Sequence, residues 1–176
     1  MSELRKTTTD HPYFLTFTVV GWLDVFTRRE YCDIVIKNLQ YCKDNKGMEL
    51  YAFVIMPSHI HLIVRQNESR LSEVVRDFKS ITAKEIIKEI ITNNVESRKD
   101  WILNFFKAYA SDIKQNKEYM FWQKTNHPVE LFSAKVMEQK INYIHNNPVE
   151  AGIVDSPEYY VYSSAYIKPK VELSPI

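Results

Sequence analysis

Residues 49–65 read ELYAFVIMPSHIHLIVR. Two runs rich in β-branched and aromatic residues, 49–56 and 59–65, flank Pro57 and Ser58, a turn signal. So short a turn makes the two runs an antiparallel hairpin. Side chains alternate along a strand, so His59 and His61 share one face of the second run, while Ile60, Leu62 and Val64 share the other. The hairpin is thus apolar on one side and carries two imidazoles on the other.

Working outward, 13–20 (YFLTFTVV) reads as a strand. Residues 28–43 place Ile34, Leu39 and Cys42, with Tyr31, Val35 and Ile36 beside them, at amphipathic helix spacing, and Asn45-Lys46-Gly47 ends that helix. Beyond the hairpin, 71–91 is a helix with an expected apolar stripe of Val74, Phe78, Ile81 and Ile86. A polar break follows at 93–100, and 101–109 is apolar without a decisive period. Residues 119–123 (YMFWQ) read as a strand and 133–146 as a last helix, which Pro148 is expected to end. The expected fold is therefore α+β, a ferredoxin-like β-α-β-β-α-β arrangement with an antiparallel sheet and an appended C-terminal helix. At 176 residues this is one domain, with tails expected over 1–10 and 167–176.

Composition removes several function classes. Three glycines and no phosphate-loop or dinucleotide-binding pattern argue against nucleotide cofactors. Cys32 and Cys42 lack metal-ligand spacing and read as free thiols in a helix. The polar first ten residues do not resemble a signal peptide, and the apolar runs are too short to cross a bilayer, so a cytoplasmic protein is expected. The net charge of +1 names no partner, so any basic footprint must be local.

Two constellations carry chemistry. Paired imidazoles two residues apart on a strand can hold one divalent metal; the plainer reading is a pair of hydrogen-bonded strand histidines. In the last helix, Met137, Ile141 and Ile144 form the buried stripe. Gln139, Tyr143 and Asn147 recur four apart on another, polar face. Tyr143 is therefore presented with an amide one turn to either side, though an ordinary surface tyrosine would look the same.

Residues 51–64 (YAFVIMPSHIHLIV) and 143–154 (YIHNNPVEAGIV) resemble single-tyrosine HUH transposases of the insertion-sequence 200-like family, most of all the REP-associated tyrosine transposases. Residues 13–18, Phe26-Thr27-Arg28, Phe121-Trp122-Gln123 and Tyr162-Ser163-Ser164 match in the same order. The resemblance implies that His59 and His61 ligate a divalent Mg²⁺ or Mn²⁺ and that Tyr143 is the nucleophile forming a 5′-phosphotyrosine link to DNA. It implies that Asn147 completes the metal shell, with His145 nearby but turned away from Tyr143. The family usually has Asn before the first histidine. This chain has Ser58, which can still make one hydrogen bond in the turn. Asn147 precedes Pro148, which disfavours helical geometry there and weakens its claim as a ligand.

The implied activity is cleavage and rejoining of single-stranded, hairpin-forming DNA, in transposition or in processing of repeated hairpins. Relatives act as homodimers or as monomers, so a homodimer is an expectation the resemblance leaves open. Arg65, Arg70, Arg76, Lys79 and Lys84 are candidate DNA contacts, as are Lys107, Lys114 and Lys117. Against that, Glu73, Asp77, Glu85 and Glu89 make the 71–91 helix look like a solvated face. The competing classes are a silent module that binds hairpin DNA and an unrelated His-x-His hydrolase using an activated water.

Overall fold

The computed structural model describes residues 11–66, 70–111 and 118–176. The elements run β1 (Tyr13–Thr18), α1 (Arg29–Lys46), β2 (Met48–Ile55), β3 (His59–Gln66), α2 (Leu71–Thr92), α3 (Lys99–Ser111), β4 (Val129–Glu130) and α4 (Ala134–Glu150). The sheet is antiparallel with order β2-β3-β1-β4, the strand order of a split βαβ unit.

Register follows from the two-residue period. β1 pairs with β3 from Tyr13↔Val64 to Thr18↔His59, which sets Thr16 opposite His61. β2 carries one irregularity, at Leu50/Ala52. The sheet is covered on both faces, so its strands read as nearly continuous apolar runs. On one face Leu15, Phe17, Phe53, Ile55, Ile60 and Leu62 pack with Val35 and Leu39 of α1 and Val74, Phe78 and Ile86 of α2. On the other, Phe14, Ala52, Val54 and Ile63 pack with Met137 and Ile144 of α4.

Glycine ends α1 for a steric reason: Gly47 sits at φ 65, left-handed space that costs a side chain little only in its absence. Both thiols, Cys32 and Cys42, are free and buried.

Three readings are corrected, and one that the sequence leaves open, at 101–109, is settled. Residues 119–123 are not a strand: Trp122 makes one isolated bridge to Val19, and the run is a buried plug. Trp122 Nε1 donates to Thr82 Oγ1 at 3.0 Å, and its ring packs against Phe26 and Phe17. Its aromatic content reflects burial rather than ladder pairing, and the edge position goes to Val129–Glu130, paired to Phe14 and Tyr13. Residues 101–109 lie in α3, where Ile102, Phe106 and Ala110 form the buried side. In α2 the buried stripe includes Thr82 while Ile81 is exposed. Finally, Pro148 does not end α4. The helix continues to Glu150, and Ala151 N–H still reaches Asn147 O at 3.0 Å, so Asn147 is helical.

The segment after Tyr166 has no regular element, yet it is docked. Val171 is buried, and Ser174 N–H donates to Leu50 O at 2.8 Å. Just before it, Ile55 N–H donates to Tyr162 O and Ser164 N–H to Phe53 O, which covers the outer edge of β2.

The polar break before α3 holds a buried carboxylate. Glu96 accepts from Arg28 Nε, Arg98 Nε and Tyr31 Oη, each at 3.2 Å. Burial pushes its carboxyl up, but hydrogen bonds from Arg98 and Arg28 outweigh that and hold it at about 2. Arg98 also donates to Asp24 O at 3.3 Å, tying the break to the loop between β1 and α1.

Candidate active site

Strand alternation and the β1–β3 register put His59 and His61 on the sheet face that α4 covers. Their ring centroids lie 4.8 Å apart. His61 Nδ1 is 2.9 Å from Thr16 Oγ1, its partner across the ladder. That contact fixes the ring and leaves Nε2 buried with no hydrogen-bond partner among the described residues. His59 Nδ1 lies 3.2 Å from Ser58 Oγ, so Ser58 still supports the first imidazole. Burial lowers the pKa of both rings; for His61, with the neighbouring charges of His59 and Lys140 adding to it, the value falls to about 3. Both are neutral near pH 7, the protonation state in which imidazole ligates metal.

An orphaned buried nitrogen beside a second neutral imidazole fits a divalent metal. Among the described residues no three His, Cys, Asp or Glu side chains cluster around one point, so further donors would be a carboxamide, the substrate phosphate or water.

α4 supplies the tyrosine. Ser133 Oγ accepts from Val136 N–H and starts the helix. Met137 and Ile144 then anchor it to the sheet, which turns Tyr143 toward the histidines. The rings of Tyr143 and His61 are 5.3 Å apart, and Tyr143 remains 40% exposed. Phe14 completes the patch, stacked on His61 at 5.2 Å and edge-on to Tyr143 at 5.9 Å.

Asn147 is half-buried one turn beyond Tyr143, and its carboxamide hydrogen-bonds none of the described residues. His145 is turned elsewhere, with Nε2 at 3.0 Å from Ser164 Oγ.

Two neighbours escaped the sequence reading. Lys140 Nζ lies 4.6 Å from the Phe14 ring and 5.4 Å from the Tyr143 ring. Its i, i+3 spacing from Tyr143 was the available signal. Trp22 sits edge-on to His59 at 5.5 Å; no motif pointed to it.

A family model described as "Transposase IS200 like" matches residues 23–119, more than half of the chain. The chain belongs to the IS200-like transposase family. Membership places its activity in DNA transposition and related DNA processing. No curated protein matches. Among solved structures, one described as a REP-associated tyrosine transposase bound to a REP hairpin is 19% identical, with TM-score 0.60 over 93% of this chain and 82% of that one. A candidate transposase from Deinococcus radiodurans is 17% identical, with TM-score 0.49 over 83% of this chain and 97% of that one. The first of these shares the fold of this IS200-like transposase.

The structure does not gather the candidate DNA contacts around the histidines. Arg65 shares their strand face but lies four residues past His61, 3.8 Å from Glu49. Arg70 is exposed at the start of α2. Arg76, Lys79 and Lys84 belong to α2, on the opposite sheet face. Arg76 pairs with Asp77 at 2.9 Å. The Lys79 ammonium is held at 2.6 Å by both Gln123 O and Asn126 Oδ1, and burial lowers it to about 8. Lys84 is exposed on the rim of a groove of about 810 Å³ between α2 and residues 118–124. Lys107 pairs with Glu118 at 3.2 Å. Lys114 and Lys117 lie outside the described residues. No helix among the described residues is long and apolar enough to cross a membrane.

Proposed function

We propose that this transposase cleaves and rejoins single-stranded, hairpin-forming DNA, with Tyr143 as nucleophile and His59 and His61 as holders of Mg²⁺ or Mn²⁺. The observation that carries the reading is the meeting of Tyr143 with His61, ring to ring at 5.3 Å, beside a buried nitrogen that has no other partner among the described residues. Helix α4 and strand β3 come together within one chain, so the nucleophile needs no second subunit to reach the histidines. A DNA substrate fits a cytoplasmic location.

A phenol that keeps its proton is a weak nucleophile, so attack has to be coupled to loss of that proton or to polarisation of the phosphorus. Attack by the Tyr143 oxygen forms an O–P bond and breaks the bond from phosphorus to the 3′ oxygen. The phenolic proton is lost, and the 3′ oxygen leaves as a hydroxyl after taking up a proton. The 5′ phosphate stays on the tyrosine. That ester conserves the energy of the broken linkage, so the reverse step rejoins a strand without a nucleotide cofactor. A bound divalent cation would supply Lewis-acid polarisation of a non-bridging phosphate oxygen. Thr16 and Ser58 orient the imidazoles, and Asn147 offers an oxygen donor from the helical face that carries Tyr143. Lys140 brings a positive charge to the ring that must lose its proton and to the phosphate it attacks.

Purified protein mixed with labelled single-stranded hairpins and Mg²⁺ or Mn²⁺ should give an SDS-resistant protein–DNA adduct. The adduct should vanish with chelator, with Tyr143→Phe and with His59→Ala. Cleavage without an adduct that survives Tyr143→Phe would point instead to hydrolysis by an activated water.

A further inference from the structure

Trp22 combines two costs that packing does not repay. Its backbone lies at φ 56, a left-handed conformation that a bulky residue rarely adopts, and its side chain is 60% exposed. Such strain persists only where surrounding structure imposes it, and it clusters at functional sites.

The surroundings do impose it. Val19 N–H donates to Ser58 O and Val20 N–H to Phe121 O, each at 2.9 Å, while Phe26 N–H donates to Pro57 O at 2.8 Å. The loop between β1 and α1 is thus bonded to the turn that carries His59. Gly21, at φ 61, lies under the ring of Phe105, and a Cβ there would approach Phe105 Cζ to 2.5 Å. Only glycine lets the chain pass this close. The result is an indole fixed edge-on to His59, with most of its surface open to solvent.

We propose that Trp22 is a stacking platform for an unpaired nucleobase next to the phosphate that Tyr143 attacks. The inference rests on the reading of His59, His61 and Tyr143 as the phosphate site, and it names the element that selects single strands. An indole stacks on any base, because every base has a π-face, and each such stack contributes roughly 1–3 kcal/mol. In a duplex both faces of a base are already covered, so the platform favours unpaired DNA. Its rigid seat beside His59 means that a base stacked there carries its phosphate to the imidazole pair.

Binding is measured by anisotropy of labelled oligothymidylate with chelator present, so that no strand is cut. Trp22→Asn removes the ring but keeps a residue that tolerates positive φ. It should weaken oligothymidylate binding by roughly 5- to 150-fold, leave duplex binding unchanged and unfold no lower in temperature than the parent. The parent's tryptophan fluorescence should be quenched on binding, and Trp22→Phe should retain most of the affinity while losing that quenching. Unchanged affinity in Trp22→Asn, equal loss for single strand and duplex, or full quenching in Trp22→Phe would overturn the proposal. Adduct formation is scored separately. Binding through Trp22 without any Tyr143 adduct overturns the strand-transfer reading and not the stacking, whereas an adduct with undiminished Trp22→Asn binding overturns the stacking alone.

Discussion

Replacing Glu96 by Gln should destabilise the protein at neutral pH and remove a specific part of its acid sensitivity. The carboxylate is buried and receives Arg28, Arg98 and Tyr31. Its pKa stands at about 2 against an ordinary 4.5. At 1.36 kcal/mol per pKa unit, that depression corresponds to about 3 kcal/mol of folding free energy. Because the folded pKa is the lower one, this stability is fully present above pH 4.5. It is lost as pH falls through 4.5 towards 2, where the folded protein too takes up the proton. The two guanidinium partners are about one-third exposed, so solvent screening puts the expected loss nearer 2 kcal/mol. Urea unfolding of parent and Glu96→Gln, followed by circular dichroism at pH 7, 4.5 and 2.5, measures this directly. The gap between the two should be widest at pH 7 and should close towards pH 2.5. A gap below about 0.5 kcal/mol at pH 7, or one that does not shrink in acid, would refute the argument. Arg98 also holds Asp24 O in the loop that carries Trp22, so the same variant should loosen the approach to His59.

Other expectations follow from the same geometry. Gly21→Ala forces a Cβ against Phe105 at a left-handed backbone position, and should cost about 1–3 kcal/mol in thermal unfolding while weakening single-strand binding. Ile144→Ala empties a fully buried position beneath Tyr143; a loss of roughly 2–5 kcal/mol is expected by urea unfolding, with adduct yield falling further than the unfolded fraction explains. Lys140→Ala should slow adduct formation by about tenfold or more with little change in melting temperature, read from single-turnover time courses.

The sequence made the hairpin and its His pair legible because period-two alternation and a Pro-Ser turn are local signals. α1 was legible for a similar reason: Gly47 marks its end. Residues 119–123 misled because buried aromatic residues look alike in a strand and in a plug. The true edge strand, Val129–Glu130, is exposed and only two residues long, with no apolar signature to find. Pro148 carries the local signature of a terminator, but the helix extends past it and Pro148 itself is buried. In the candidate site, Tyr143 and the histidines carry motifs and the fold brings the three rings together, whereas Trp22, beside His59, carries none. Its position depends on long-range bonds from Val19 and Phe26 to the 57–58 turn, which no local pattern encodes.

The most direct test of the central claim is to digest the protein–DNA adduct and map the modified peptide by mass spectrometry. The account predicts a nucleotide phosphate esterified to Tyr143, formed only with Mg²⁺ or Mn²⁺ and absent from His61→Ala. A nucleotide on any other residue, or an equal yield of adduct from Tyr143→Phe, would contradict it.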